Sequence, residues 1–173
     1  MRQVVLVGLM GAGKSTVGAL VATRTDRVFV DVDVVIAAHT GKTVRELWEE
    51  GGEVAYRQLE SEAVLRVLAD STPAVLAAPG GVVLDPTVRA RLAGSFVVWL
   101  RAGPSVLAGR VRPGDHRPLL GKHPAEAFAA MAEERDGLYR QVATMTVDTD
   151  ELTPDDVADR VVAGLRADSA AHA

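Results

Sequence analysis

The chain of 173 residues has no cysteine. That excludes a disulfide framework and any metal site built on thiolates. Aromatic residues are scarce as well, at 4% of a chain that is 48% hydrophobic. Alanine, valine and leucine must fill the interior, and there are enough of them for a sizeable core. No apolar run approaches the roughly 18 residues of a membrane span. There is no basic tract, and the formal net charge is −4, which argues against nucleic acid as the main partner. The first residues lead straight into a strand-like run rather than a signal peptide. Repeats and low-complexity segments are missing too. The expectation is one soluble, cytoplasmic domain over residues 1–166. The small, polar tail at 167–173 is expected to be disordered. No apolar patch pattern stands out, so a monomer is expected.

What is present begins with Gly8-Leu9-Met10-Gly11-Ala12-Gly13-Lys14-Ser15. These residues match the phosphate-binding loop G-x-x-x-x-G-K-[ST] without a mismatch. The run Gln3 to Val7 before it is apolar and β-branched, as in a buried strand. Residues Lys14 to Thr25 after it carry Val17, Leu20 and Val21 at helical spacing. Strand, glycine turn and helix suit the chemistry: glycines let the backbone approach phosphates, and successive N–H groups at a helix start form an anion nest. The ligand class is a nucleoside triphosphate with Mg²⁺. Lys14 would reach the β- and γ-phosphates and the Ser15 hydroxyl would ligate the ion.

Strand-like runs recur at Val4–Val7, Val28–Val30, Ala74–Ala77, Phe96–Leu100 and Thr144–Val147, with helical patterns between them. Alternation of this kind predicts a parallel sheet covered on both faces. Two stretches break it. Residues 33–70 hold more helix than a crossover needs and suggest an inserted substrate-binding subregion at about 32–60. Residues 111–124 are rich in Pro, Gly and charge, the composition of a surface loop or a lid.

Chemistry-bearing residues cluster at the ends of these runs. Asp31 and Asp33 follow the second strand, and in open α/β sheets ligands sit beyond the C-terminal strand ends. One carboxylate can orient Mg²⁺ through water and the other can accept a hydroxyl proton; Asp33 also precedes the helical run Val34–Ala38, where it would serve as N-cap. Arg57 and Glu60 lie i, i+3 on a helix predicted over Glu53–Asp70. They are either a surface ion pair or a guanidinium held still to grip an anion. Gly80 and Gly81 follow the third strand, as a plain turn or a place of close ligand approach. Arg110, Arg112 and Arg117 bring three guanidiniums to the lid region, as solvated charge or as partners for a transferring phosphoryl group. A helix predicted over Ala125–Arg140 carries Glu133, Glu134, Arg135, Asp136, Tyr139 and Arg140, mostly as a solvated face, with Met131 and Leu138 in the core.

In this order, the elements resemble the shikimate kinases, a branch of the nucleoside-monophosphate-kinase-like P-loop group. The resemblance runs from Val4 to about Leu165. It rests on GLMGAGKST (Gly8–Thr16), the D-x-D at Asp31 and Asp33, TGKTVRELWEEGGEVAYRQLE (Thr40–Glu60), the Gly-Gly pair, HRPLL (His116–Leu120) and RDGLYRQVA (Arg135–Ala143). It implies a three-layer α/β/α P-loop kinase fold with five parallel strands in the order 2-3-1-4-5, a lid and a substrate-binding subregion. The implied reaction is transfer of the γ-phosphoryl of ATP to the 3-hydroxyl of shikimate, a step of aromatic amino acid biosynthesis. The resemblance also implies residue roles. The loop Gly11, Ala12, Gly13, Lys14, Ser15 and Thr16 binds ATP, with Arg110 and Pro154 about the adenine. Ser15 and Asp31 serve the metal. Asp33, Lys14 and Arg117 are catalytic. Asp33, Arg57, Glu60, Gly80, Gly81 and Arg135 bind the acceptor. Three positions depart from the family pattern. Pro79 replaces a glycine, Asp136-Gly137 replaces a residue and a proline, and Val32 replaces a small polar residue. These departures keep open a kinase of another small polyhydroxy acid or cyclitol, and a non-catalytic nucleotide-binding paralogue.

Overall fold

In the computed structural model, which describes residues 2–111, 120 and 123–171, five parallel strands form one sheet. They are β1 (Val4–Val7), β2 (Val28–Asp31), β3 (Ala74–Ala77), β4 (Phe96–Arg101) and β5 (Met145–Asp148), in the order β2-β3-β1-β4-β5. Helices α1 (Lys14–Thr25), α2 (Val32–Thr40), α3 (Val44–Ala69), α4 (Pro86–Leu92), α5 (Pro104–Arg110), α6 (Pro124–Val142) and α7 (Pro154–Ala171) connect and cover them, making three layers. A 3₁₀ turn at Val82–Leu84 follows β3.

Burial explains the strand order. Every residue of β1 and β3 is buried, as continuous apolar runs in the middle of a parallel sheet must be. β1 pairs Val5 with Leu76 on one side and with Val97 on the other. β2 and β5 form the edges and are partly exposed. Small residues set the layer spacing. A Cβ on Gly18 of α1 would meet Phe29 Cε2 at 2.5 Å, and one on Gly164 of α7 would meet Met145 Sδ at 2.5 Å.

Several boundaries differ from the sequence reading. α2 starts at Val32, and its N-cap is Asp31, which accepts from Asp33 N at 3.1 Å. Asp33 therefore lies inside the first turn and is not the cap. α3 begins at Val44, well before Glu53, because Thr43 and Glu46 form a reciprocal capping box. The helix is then broken at Gly52, whose φ of 69° is left-handed, so the predicted helix is its second half. α7 continues to Ala171, so residues 167–171 are helical where disorder was expected. Arg2 holds Asp168 of that last stretch, Nη1 to Oδ2 at 2.8 Å, and ties it to the chain before β1. Most of the candidate lid, with Arg112, His116 and Arg117, lies outside the described residues. Among the described residues no helix is long and apolar enough to cross a membrane.

Candidate active site

The loop between β1 and α1 is shaped by glycines. Gly8, Gly11 and Gly13 have φ of 141°, 80° and 93°, and Gly13 caps α1 in the left-handed conformation. A side chain at Gly8 would also run into the carbonyl oxygen of Leu100. Lys14 Nζ folds back over the loop, donating to Gly8 O at 2.8 Å and Leu9 O at 3.0 Å. Its ammonium thus stands where a phosphate chain wrapped by the loop would pass. Ser15 Oγ donates to Asp31 Oδ2 at 2.5 Å. A hydroxyl beside a carboxylate supplies hard oxygen ligands, the donor type Mg²⁺ takes. Among the described residues no three His, Asp or Glu side chains form a metal cage.

A second cavity opens beside the loop. Leu9, Lys14, Asp33, Trp48, Tyr56, Arg57, Glu60, Pro79, Gly80, Gly81, Met131 and Arg135 all line it. These residues come from β1's loop, both helices of the inserted region, the turn after β3, and α6. Arg57 Nη1 donates to Glu60 Oε2 at 2.5 Å, and Nη2 reaches Glu53 Oε1 at 3.5 Å. The guanidinium also lies 6.0 Å from the ring centres of both Trp48 and Tyr56. Burial works against the Arg57 charge, but the Glu60 carboxylate, together with Glu53 and Tyr56, offsets it and holds the guanidinium above its ordinary pKa. Burial lifts the Glu60 carboxyl above its ordinary value; Arg57 and Arg135 oppose that rise, and Asp33 adds to it. Glu60 is only 3% exposed, so this is no surface ion pair. Among the described residues Arg57 Nε is buried without a hydrogen-bond partner. Buried polar groups are nearly always satisfied, so an orphaned donor at a cavity wall suits an anionic ligand.

Gly81 explains itself in this setting. Its φ is −85°, open to any residue, but a Cβ there would overlap the Arg57 guanidinium. Close approach, rather than a left-handed backbone, demands the glycine. Arg135 enters from α6, is 5% exposed, and donates Nε to Glu134 Oε2 at 2.9 Å. Two guanidiniums from distant parts of the chain therefore face one small cavity, as a carboxylate-bearing ligand would require. Asp136 does not intrude on it. Burial raises the Asp136 carboxyl pKa, and the charges opposing that rise are Arg101 and Arg140.

The phosphate-loop cavity and this second cavity share Met10, Lys14 and Asp33. On the loop's other flank, Gly11, Ala12, Gly13, Thr16, Arg110 and Pro154 line a third hollow. There the Arg110 guanidinium donates to Thr149 O at 2.6 Å and Thr149 Oγ1 at 3.1 Å. The three hollows form one continuous groove along the C-terminal strand ends. Every predicted site residue among the described residues lines it, and Arg117 lies outside the described residues.

Sequence reasoning missed three aromatics. Trp48 and Tyr56 wall the second cavity and pack together at 5.7 Å between ring centres. Tyr139, expected on a solvated face, is fully buried and donates its hydroxyl to Gly80 O at 2.6 Å. The scarcity of aromatics was the available signal: in a chain with so few, each one is a candidate for a special place.

Comparison with known proteins agrees with this geometry. The shikimate kinase family model matches residues 10–166. The shikimate kinase of Thermobifida fusca is 42% identical over 163 residues, which is 94% of this chain and 94% of that protein. The shikimate kinase of Aromatoleum aromaticum is 48% identical over 147 residues, 84% of this chain and 83% of that protein. A solved structure of shikimate kinase from Acinetobacter baumannii in complex with shikimate matches with a TM-score of 0.92 and 31% identity, covering 97% of this chain and 94% of that one. Motifs, strand order and near-complete coverage together assign the chain to the shikimate kinase family.

Proposed function

We propose that this protein transfers the γ-phosphoryl group of ATP to the 3-hydroxyl of shikimate. The observation that carries this reading is the shared border of the two cavities at Lys14 and Asp33. A phosphate chain in one hollow and a small hydroxy acid in the other would meet there. The backbone of Gly11 to Thr16 wraps the phosphates, and Arg110 and Pro154 flank the adenine. Ser15 and Asp31 would hold Mg²⁺, which would neutralise phosphate charge. Arg57 and Arg135 grip the acceptor carboxylate, Glu60 keeps Arg57 in place, and Gly80 and Gly81 line the ring. Asp33 orients the 3-hydroxyl and takes its proton as the new P–O bond forms and the β–γ bridging bond breaks, releasing ADP. Lys14 stabilises the charge on the transferring group; the family resemblance adds Arg117 to that task. Positioning and electrostatics supply most of the rate. ATP as phosphoryl donor puts the reaction in the cytoplasm, and we read the working unit as a monomer.

Pro79 favours testing a second acceptor class. It lines the cavity and offers no N–H to a ring hydroxyl. A coupled ADP-release assay with ATP, Mg²⁺ and shikimate, beside quinate, gluconate and a blank, decides between them. Shikimate-dependent turnover is expected. Asp33→Asn should lower kcat by roughly a hundredfold or more while the KM for ATP stays within about twofold. Near-normal turnover in that variant, or silence with shikimate while ATP still binds, overturns the reading.

A further inference from the structure

Tyr139 lines none of the three hollows, and the proposed transfer gives it no task. It is nonetheless fully buried and bonded across 59 residues of sequence, its hydroxyl donating to Gly80 O at 2.6 Å. Its ring stacks on Trp99 of β4, with centres 5.6 Å apart and planes inclined by 25°. The Arg101 guanidinium lies 5.5 Å from the same Trp99 ring. Asp148 of β5 holds that guanidinium through two hydrogen bonds, at 2.5 and 2.8 Å. The phenol is thus braced against the sheet and not only carried by α6.

What it holds is the turn after β3. A Cβ on Gly80 would stand 3.2 Å from Gly8 O, 3.6 Å from Leu9 Cα and 3.6 Å from the Tyr139 hydroxyl. Gly80 is therefore wedged between the phenol and the backbone of the phosphate loop. Gly8 O is also the acceptor for Lys14 Nζ. The next residue, Gly81, lies under the Arg57 guanidinium. The neighbouring bonds, Val82 N to Pro79 O at 3.3 Å and Leu84 N to Gly81 O at 3.0 Å, only tie the turn to itself. Ala78 N donates to Leu6 O at 3.0 Å and fixes the start of the turn beside β1; beyond that point the Tyr139 hydroxyl anchors the turn at Gly80.

We propose that Tyr139 is a positioning residue: through the Gly80 carbonyl it holds the acceptor side of the groove in register with the phosphate loop. Displacements of about an ångström at such a junction cost orders of magnitude in rate. The kinetic part of the test rests on the proposed transfer to shikimate; the structural part does not.

Tyr139→Phe removes the hydroxyl and keeps the stack on Trp99. The expected result is about a tenfold loss of kcat/KM for shikimate, with the KM for ATP within about twofold. Amide hydrogen exchange over Gly80–Val82 should quicken by about tenfold while the amides of β1 and α1 stay protected. Trp99→Phe retains the hydroxyl and an aromatic ring beneath it, and should leave kcat/KM for shikimate near the wild-type value. The proposal is overturned if Tyr139→Phe leaves acceptor kinetics and exchange at Gly80–Val82 unchanged. A loss in Trp99→Phe equal to that in Tyr139→Phe overturns it as well, since ring packing would then be the cause. If the wild-type protein does not phosphorylate shikimate, the proposed function fails, and exchange at Gly80–Val82 still decides the role of Tyr139.

Discussion

Gly81→Ala separates the fold from the acceptor site. The backbone at Gly81 already has a conformation that alanine adopts without strain. The nearest obstacle is the Arg57 guanidinium, which a Cβ would overlap. Arg57 must then move from between Trp48, Tyr56 and Glu60. Overpacking of this kind costs about 1–3 kcal/mol. Stripping a buried ion pair of one partner costs about 3–5 kcal/mol. Arg57 is a flexible side chain with Glu53 as a second partner at 3.5 Å, so the lower range applies, about 1–2 kcal/mol. In a chain of this size that lowers Tm by roughly 2–8 °C. The effect on the acceptor is larger. Losing a charge-assisted hydrogen bond to its carboxylate removes about 1.5–3 kcal/mol, which raises the KM for shikimate roughly 10- to 150-fold. The phosphate loop is untouched, so the KM for ATP should hold. Steady-state kinetics in both substrates and a thermal melt measure all three quantities. A lowered Tm with an unchanged acceptor KM would refute Arg57 as the anion grip. No change in either would refute its seat over Gly81.

Gly18→Ala perturbs the fold and spares the site. Its Cβ would sit 2.5 Å from Phe29 Cε2, costing about 1–3 kcal/mol of stability. Tm should fall while both KM values stay near wild type, and an unchanged Tm would contradict the close packing of α1 on β2. Asp148→Asn tests an electrostatic contribution with a defined sign. Hydrogen bonds from Arg101 hold the Asp148 carboxyl below its ordinary value of 3.8. The unfolded chain therefore takes up the proton first as pH falls. The stabilisation is present above about pH 4 and is lost as pH drops through the depressed folded value. Both side chains are more than two-fifths exposed, so the variant should lose at most about 1 kcal/mol at neutral pH. Melts of the two proteins should converge once the pH has fallen through the depressed folded value; a constant gap would show that the ion pair is not its source.

Three local elements needed nothing beyond the sequence. The apolar runs of β1 and β3 and the helix Lys14–Thr25 have the boundaries read from periodicity and from the G-K-S signature, because buried parallel strands and a phosphate-loop helix are specified by adjacent residues. The Arg57–Glu60 pair was equally legible, since i, i+3 spacing on a helix puts two side chains together whatever surrounds them. Neighbouring residues could not say whether that pair is exposed. Its burial depends on Trp48, on Tyr56, and on α6 arriving with Arg135 from far along the chain. Asp31 and Asp33 exchanged the capping role because β2 runs one residue further than its apolar pattern and α2 follows without a loop. The tail stays helical because Asp168 meets Arg2, a contact 166 residues long in sequence. Gly81 and Tyr139 make the same point at the site. The glycine answers to a guanidinium rather than to its own backbone, and the phenol answers to a carbonyl 59 residues away. Sequence alone determined which chemistry the chain carries, since each motif is local. Tertiary structure decided which of those groups share a cavity, because their distances are set by packing across the sheet.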